Sequence, residues 1–150
     1  MEIAILACGC FWGPEQKFSK LKGVRKVEAG YCGGNMENVT YEEVCKGNSN
    51  HAEVVKIEFD NNLISYEKIL NFFFEIHDPT SLNQQGPDIG TQYRSEIFIY
   101  NNEQKKIAQK ILDKYNSNYQ GRIVTKISEV KNYTRAEEYH QKYLEKNFNR

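Results

Sequence analysis

The pattern of hydrophobic and polar positions predicts strands and helices that alternate along the chain. The apolar run at residues 3–8 is hydrophobic on both faces and too short to span a membrane, which is typical of a central buried strand. Further strands are predicted over 24–31, 53–59 and 95–100. The alternation over 123–130 indicates an edge or half-buried strand.

Helical periodicity separates these strands. A first helix follows the strand at 3–8 and is expected to end at Gly23. Ser65 is predicted to cap a second helix, and Asn101 or Asn102 a third, because short polar side chains accept hydrogen bonds from free N–H groups. Residues 135–146 are predicted to be helical.

The predicted elements run in the order βαββαβ, followed by αβ and a tail. No repeat, low-complexity tract or linker divides the 150 residues, so a single domain over 1–150 is the simplest account. Helices packed on one face of a mixed sheet define the α+β class, and this order indicates a ferredoxin-like α/β plait.

The sequence GCFWG at residues 9–13 joins the first strand to the first helix. Its two glycines permit a sharp turn, and Pro14 is typical of the first turn of a helix. Unpaired amides and the helix dipole at this position favour the thiolate of Cys10, which is the nucleophilic form. We therefore expect a reactive cysteine, with Phe11 and Trp12 exposed on the turn as an apolar wall beside it.

One carboxylate falls on the apolar face of a predicted strand. Alternation along 53–59 places Glu53 on the same face as Val55, Ile57 and Phe59. Burial would raise the pKa of this carboxyl group toward neutrality and make Glu53 a general acid. The alternative that the pattern leaves open is that Glu53 begins the strand and reaches solvent.

Composition and charge exclude several classes of partner. Twenty basic and twenty acidic residues give zero net charge, so neither nucleic acid nor an anionic membrane would be attracted to the chain. Four cysteines are too few for a disulfide scaffold, and no secretory signal begins the sequence. We expect a monomer in a reducing compartment, the cytoplasm, with a small or unstructured partner.

Further motifs follow GCFWG in the order in which one family carries them. They are GYCGG at 30–34, YEEVC at 41–45, Gly47 before HAE at 51–53, HDP at 77–79 and GTQYRS at 90–95. On these motifs the chain resembles the A-type peptide methionine sulfoxide reductases over nearly its whole length, more weakly after about Tyr143. The resemblance implies the ferredoxin-like core fold and the thiol-dependent reduction of methionine S-sulfoxide, free or in proteins, as repair of oxidative damage.

The resemblance also implies the roles of individual residues. Cys10 would attack the sulfoxide sulfur and become a sulfenic acid, while Glu53 protonates the sulfoxide oxygen. Tyr41 and Tyr93 would assist Glu53. Asp88 is a further polar residue of the site, although Pro87 precedes it where an asparagine is more usual.

Substrate binding is implied in the same way. Phe11 and Trp12 would hold the S-methyl group of the substrate. No metal or organic cofactor is required. His51 and His77 are expected to be structural and are assigned no catalytic role.

The sequence leaves open which thiol would convert the Cys10 sulfenic acid back to the thiol. Many family members use cysteines of a C-terminal tail, whereas no cysteine follows Cys45 in this sequence. Cys32 or Cys45 could resolve the sulfenic acid, and Cys8 is poorly placed because extended residues two apart lie near the long limit for a disulfide. We expect direct attack by thioredoxin, glutaredoxin or glutathione, with Cys32 fixed in a glycine-bounded loop and Cys45 packed as a small hydrophobic residue on a short helix.

Two other classes of protein are compatible with some of these residues. Cys10, His51 and Asp88 could form a cysteine hydrolase triad, which would give an acyl-enzyme rather than a sulfenic acid. A metal-binding module could use all four cysteines, but their spacing lacks the close ligand pairs of common zinc sites.

Overall fold

A six-stranded mixed sheet organises the described part of the chain, residues 1–47 and 49–148 of a computed structural model. The strands are β1 (Glu2–Cys8), β2 (Val24–Cys32), β3 (Ala52–Phe59), β4 (Gln84–Gln85), β5 (Asp88–Ile89), β6 (Ser95–Ile99), β7 (Lys126–Glu129) and β8 (Thr134–Arg135). The order in the main sheet is β7-β6-β1-β3-β2-β8, and β4 pairs with β5 in a separate hairpin. The pair β6–β7 is parallel, whereas the other pairs are antiparallel.

Five helices accompany the sheet in the described ranges. They are α1 (Trp12–Ser19), α2 (Tyr41–Cys45), α3 (Tyr66–Glu75), α4 (Asn102–Asn118) and α5 (Tyr143–Phe148). The predicted caps are confirmed: Ser65 accepts the N–H of Lys68, and Asn101, rather than Asn102, accepts the N–H of Gln104. Within the same ranges, none of the helices combines the length and the apolar character that crossing a bilayer needs.

The predicted plait is confirmed by the strand order. The unit β1-α1-β2-β3-α3-β6 places β1 and β3 in the centre, with β6 and β2 outside them. Side chains from α1, α3 and α4 pack on one face of the sheet in a single apolar cluster. The opposite face carries a smaller cluster around Ile5, Val54 and Phe98.

Strand direction determines where functional side chains can meet. Because β1 runs antiparallel to both β3 and β6, its last residue, Cys8, lies at the sheet edge where those two strands begin. At that edge Cys8 is paired with Ser95 of β6, and Tyr31 near the end of β2 is paired with Glu53 of β3. Loops that leave or enter these strand ends therefore converge.

The C-terminal segment is where the sequence prediction is wrong. Residues 135–146 do not form one helix: β8 is followed by a 3₁₀ turn at Glu138–His140 and then by α5. The side chain of Gln141 bonds both the N–H and the C=O of Ala29, as a neighbouring strand would, and Lys142 adopts φ +52°. These contacts with β2 outweigh the local helical preference. The strand predicted over 123–130 is also shorter than expected, and the β4–β5 hairpin was not predicted.

Candidate active site

The predicted site residues converge at the sheet edge described above. Cys10 follows β1, Glu53 is the second residue of β3, and Tyr93 precedes β6. Tyr41 is the first residue of α2, and Asp88 begins β5. The charges of Glu53 and Asp88 act on Cys10 and on Tyr93, which places these groups in one cluster.

The turn that carries Cys10 is shaped by Gly9. Gly9 adopts φ +96°, a conformation that glycine reaches without strain, whereas Gly13 lies inside α1 and does not make the turn as expected. A Cβ at Gly9 would stand 2.8 Å from Cβ of Gln85. The missing side chain therefore lets the β4–β5 hairpin, which carries Asp88, pack directly against the cysteine turn.

Cys10 is a thiol in this environment. Burial is the main cause that raises the pKa of Cys10 to about 12, and the charges of Glu53 and Asp88 add to it. The N–H of Trp12 at the start of α1 lowers the pKa, but by less. The expectation that the thiolate is favoured in the free protein is therefore wrong, because it counted the helix N-terminus and not the burial of the thiol.

Glu53 is buried, as the strand pattern predicted, and the solvent-exposed alternative is excluded. Its side chain is 1% exposed, Oε1 accepts the N–H of Phe11 at 3.2 Å, and Oε2 has no hydrogen-bond partner among the described residues. Burial raises the pKa of Glu53 to about 8, with a smaller contribution from the charge of Asp88. At neutral pH Glu53 is therefore a carboxylic acid with a proton to donate.

Two phenols lie beside this acid. Tyr41 and Tyr93 are within hydrogen-bonding reach of each other, and Tyr41 also reaches the thiol of Cys45. Burial raises the pKa of both tyrosines, that of Tyr93 to about 12, and the charge of Glu53 adds to each. Both phenols therefore stay protonated and can donate hydrogen bonds to an oxygen atom.

The aromatic wall differs from its prediction. Phe11 is 1% exposed and packs beneath the site against Tyr31, with ring centroids 5.6 Å apart, so it is not exposed on the turn. Trp12 is partly exposed, and its indole N–H bonds Nδ1 of His140 at 3.1 Å. Trp12 also stacks on Tyr143 at 3.7 Å. Of the two aromatic residues, Trp12 is therefore the one with accessible apolar surface, whereas Phe11 belongs to the core.

The hydrolase alternative is not supported by the position of His51. Its Nδ1 accepts the N–H of Gly34, and its Nε2 bonds the carbonyl of Met36 at 2.6 Å. His77 likewise uses both nitrogens, on Phe73 O and on the hydroxyl of Ser95. Neither ring has a free nitrogen to act as the base of a triad.

The remaining cysteines are dispersed. Cys8 is buried on the helix-covered face of the sheet, whereas Cys32, the last residue of β2 rather than part of a loop, packs in the cluster on the other face. Cys45 is exposed, not packed as a small hydrophobic residue. No group of three or more His, Cys, Asp or Glu residues within 1–47 and 49–148 is arranged to hold a metal ion.

Sequence reasoning missed three residues that support the site. Glu137 bonds the N–H of Tyr41, and His140 packs against Phe11, Trp12 and Tyr41. Both come from the segment predicted as a regular helix, so no local signal indicated them. Arg94 bonds the carbonyls of Thr91 and Asn50, and thereby links the loop of Tyr93 to the loop that enters β3.

The arrangement combines a protonated nucleophile with a protonated acid. A substrate atom that accepts attack from Cys10 could receive a proton from Glu53 at a neighbouring oxygen, with two phenols at the same oxygen. Such a pair suits a substrate that is electrophilic only when its oxygen is protonated.

Comparison with known proteins adds independent findings. A family model described as peptide methionine sulfoxide reductase matches residues 2–150. Among curated proteins, a peptide methionine sulfoxide reductase MsrA of Pelagibacter ubique (strain HTCC1062) is 67% identical over 146 residues, covering 97% of this chain and 99% of the relative.

Solved structures are similar over the same length. The reduced form of Mxr1 from Saccharomyces cerevisiae has a TM-score of 0.93 and 39% identity, covering 97% of this chain and 85% of that one. Mxr1 in complex with Trx2 has a TM-score of 0.68 and 25% identity, covering 95% and 84% of the two chains.

Proposed function

The chain belongs to the peptide methionine sulfoxide reductase family, and we propose that it reduces the S epimer of methionine sulfoxide, free or within proteins, through a sulfenic acid on Cys10. The observation that carries the proposal is the pairing of Cys10 with Glu53, a buried carboxyl group whose pKa is raised by burial to about 8. A sulfoxide sulfur is a poor electrophile until its oxygen is protonated, so it needs both groups.

Binding places the sulfoxide between the aromatic wall and the acid. The S-methyl group packs on Trp12, while Phe11 lies in the core against Tyr31. The sulfoxide oxygen then faces Glu53 and the phenols of Tyr41 and Tyr93. The charge of Asp88 favours the protonated form of Glu53 and so maintains the acid.

Oxygen transfer balances between the two sulfur atoms. Glu53 donates its proton to the sulfoxide oxygen as Cys10 Sγ attacks the sulfur, and the thiol proton of Cys10 returns to the Glu53 carboxylate. The oxygen stays on Cys10, which is now a sulfenic acid, and methionine is released. The methionine sulfur gains two electrons and the Cys10 sulfur loses two. Because Cys10 is a thiol at rest, it becomes strongly nucleophilic only while a substrate oxygen takes the proton of Glu53.

A stoichiometric reaction tests this function. The reduced protein, mixed with a peptide containing one methionine S-sulfoxide and no added thiol, is expected to release about one methionine per chain. Mass spectrometry should locate the added oxygen on Cys10, where a sulfenic-acid reagent traps it. The R epimer is the matched control and should remain unreduced. An acyl-enzyme, or equal consumption of both epimers, would contradict the proposal.

Regeneration is proposed to use an external dithiol, a thioredoxin or a related reductant. The thiol attacks the Cys10 sulfenic acid and releases water, and a second thiol then reduces the mixed disulfide. The similarity to Mxr1, which has been solved in complex with Trx2, supports a thioredoxin in this role. Cys32 is 0% exposed and its thiol bonds Lys131 O on the other face of the sheet, which argues against an internal disulfide with it.

Trapping after one turnover tests this route. We expect the Cys10 sulfenic acid to persist without added thiol and to be trapped equally in wild type, Cys32→Ser and Cys45→Ser. Cys45→Ser is the stricter test of the two, because Cys45 is exposed and lies within reach of Tyr41. If an internal disulfide forms quickly and is lost only in Cys45→Ser, then Cys45, and not an external thiol, is the first to react with the sulfenic acid.

Residues 1–150 are further proposed to act as one monomeric domain in the cytoplasm. One family model spans 2–150, and the central sheet takes strands from both halves of the chain, which supports a single domain. Four free cysteines suit a reducing compartment, and zero net charge offers nothing that would attract nucleic acid or an anionic membrane.

A further inference from the structure

Glu137 joins two tyrosines that border the site. It follows β8 and precedes the 3₁₀ turn, in the segment that does not form the single helix predicted over 135–146. Its Oε1 accepts the phenol O–H of Tyr31 at 2.8 Å, and its Oε2 accepts the backbone N–H of Tyr41 at 2.9 Å. Although partial burial opposes ionisation, these hydrogen bonds lower the pKa of Glu137, so it is a carboxylate at neutral pH.

The bond to Tyr41 matters because α2 is very short. A five-residue helix is not stable by itself, so its position depends on contacts with the rest of the protein. Thr40 and Glu43 form a capping box, but this box lies within the segment and does not fix α2 relative to the sheet. Glu137 supplies that link at Tyr41, the residue whose phenol faces the site.

The bond to Tyr31 fixes the other end of the link. Tyr31 is fully buried on β2, paired with Glu53 in the sheet and packed against Phe11. A carboxylate held by the Tyr31 phenol has little freedom to follow a shift of α2. Glu137 thus ties the start of α2 to the strand that lies beside the proposed acid.

We propose that Glu137 is a positioning residue for sulfoxide reduction: by bonding Tyr31 and the N–H of Tyr41, it holds the Tyr41 phenol where it can donate to the sulfoxide oxygen. This inference rests on the proposed function, because it takes Tyr41 as a donor in the reaction. Glu137 itself touches no reacting atom. Its contribution should therefore appear in the chemical step and disappear when the Tyr41 hydroxyl is absent.

Single-turnover kinetics with a methionine S-sulfoxide peptide test the proposal. Glu137→Gln offers one oxygen to two donors and loses one hydrogen bond to a charged acceptor. We therefore expect the single-turnover rate constant at saturating peptide to fall about tenfold, with the peptide concentration for half-maximal rate unchanged. Tyr31→Phe removes the anchor of this carboxylate but leaves its bond to Tyr41, so we expect a smaller fall. The matched control is Glu138→Gln at the next position, where the side chain is exposed, and its rate should stay within about twofold of wild type. Glu137→Asp, whose shorter side chain withdraws the carboxylate, should behave like Glu137→Gln.

A double-mutant cycle separates positioning from a general structural role. In a Tyr41→Phe background, Glu137→Gln should lower the rate by less than about twofold further, since the hydroxyl that it positions is already absent. Additive losses in the cycle would overturn the inference, as would a rise in the half-saturating peptide concentration with the single-turnover rate constant unchanged. If Glu137→Gln fails to fold, Glu137→Asp is taken through the same cycle. Failure of wild type to reduce the peptide would instead refute the proposed function.

Discussion

Replacing Cys10 by serine is expected to abolish the reduction of methionine sulfoxide. A hydroxyl is a much weaker nucleophile toward sulfur than a thiol or thiolate, and no sulfenic acid can form on serine. We expect single-turnover release of methionine to fall by about 10⁴-fold or more, the size of loss that follows removal of an essential nucleophile. The measurement is the rate at which reduced protein forms methionine from an S-sulfoxide peptide, with no added thiol.

Cys8→Ser is the matched control for this substitution. Burial raises the pKa of Cys8 to about 12, the same value as for Cys10, but Cys8 is 6% exposed on β1 and lies beneath the turn. We expect Cys8→Ser to retain activity, with some loss of thermal stability from the buried hydroxyl. If Cys10→Ser were nearly as active as wild type, or if Cys8→Ser lost activity with its fold intact, Cys10 would not be the nucleophile.

The placement of Cys10 and Glu53, the proposed nucleophile and acid, could be predicted because both depend on local pattern. The apolar run before Cys10 predicts a central strand, and the period of two along β3 puts Glu53 on the buried face with Val55 and Ile57. The order of elements then specifies the plait. Antiparallel pairing of β1 with β3 brings the two residues to one edge of the sheet.

Properties that depend on distant residues could not be predicted in this way. The protonation of Cys10 is set by burial and by Glu53 and Asp88, which approach it only in the folded chain. Phe11 was expected on the surface because it lies on a turn, yet it packs against Tyr31 of β2. In each case the local signal was present and a tertiary contact outweighed it.

The C-terminal segment shows the same limit more strongly. Its composition favours a helix, but Glu137 and Gln141 use their side chains to bond Tyr31, Tyr41 and Ala29. Polar side chains that bond the backbone of another element leave no mark on periodicity. The residues that support Tyr41 were therefore found only in the structure.

Replacing Glu53 by glutamine should leave the fold intact and slow the reductase step. The amide has the shape of the carboxyl group and keeps an oxygen to accept the N–H of Phe11, but it has no acidic proton to donate. We expect the single-turnover rate at neutral pH to fall by roughly 10²–10⁴-fold, as is typical for loss of a general acid. An unchanged rate would assign the proton to Tyr41, Tyr93 or solvent.

The pH dependence of the same variant gives a second readout. Because burial raises the pKa of Glu53 to about 8, the wild-type rate should decline as the pH rises through that value, whereas Glu53→Gln should show no such decline.

The stability of the wild-type protein should also fall as the pH rises. In the folded chain Glu53 keeps its proton up to about pH 8, whereas in the unfolded chain it loses the proton near its ordinary pKa of 4.5. The protonated Glu53 therefore contributes stability at low pH, and this contribution to the free energy of unfolding is lost as the pH rises from 4.5 through about 8. Thermal unfolding at about pH 6 and about pH 9 should therefore show a larger fall in Tm for wild type than for Glu53→Gln. Equal falls in Tm, together with equal pH–rate profiles, would mean that Glu53 does not titrate in this range and is not the acid.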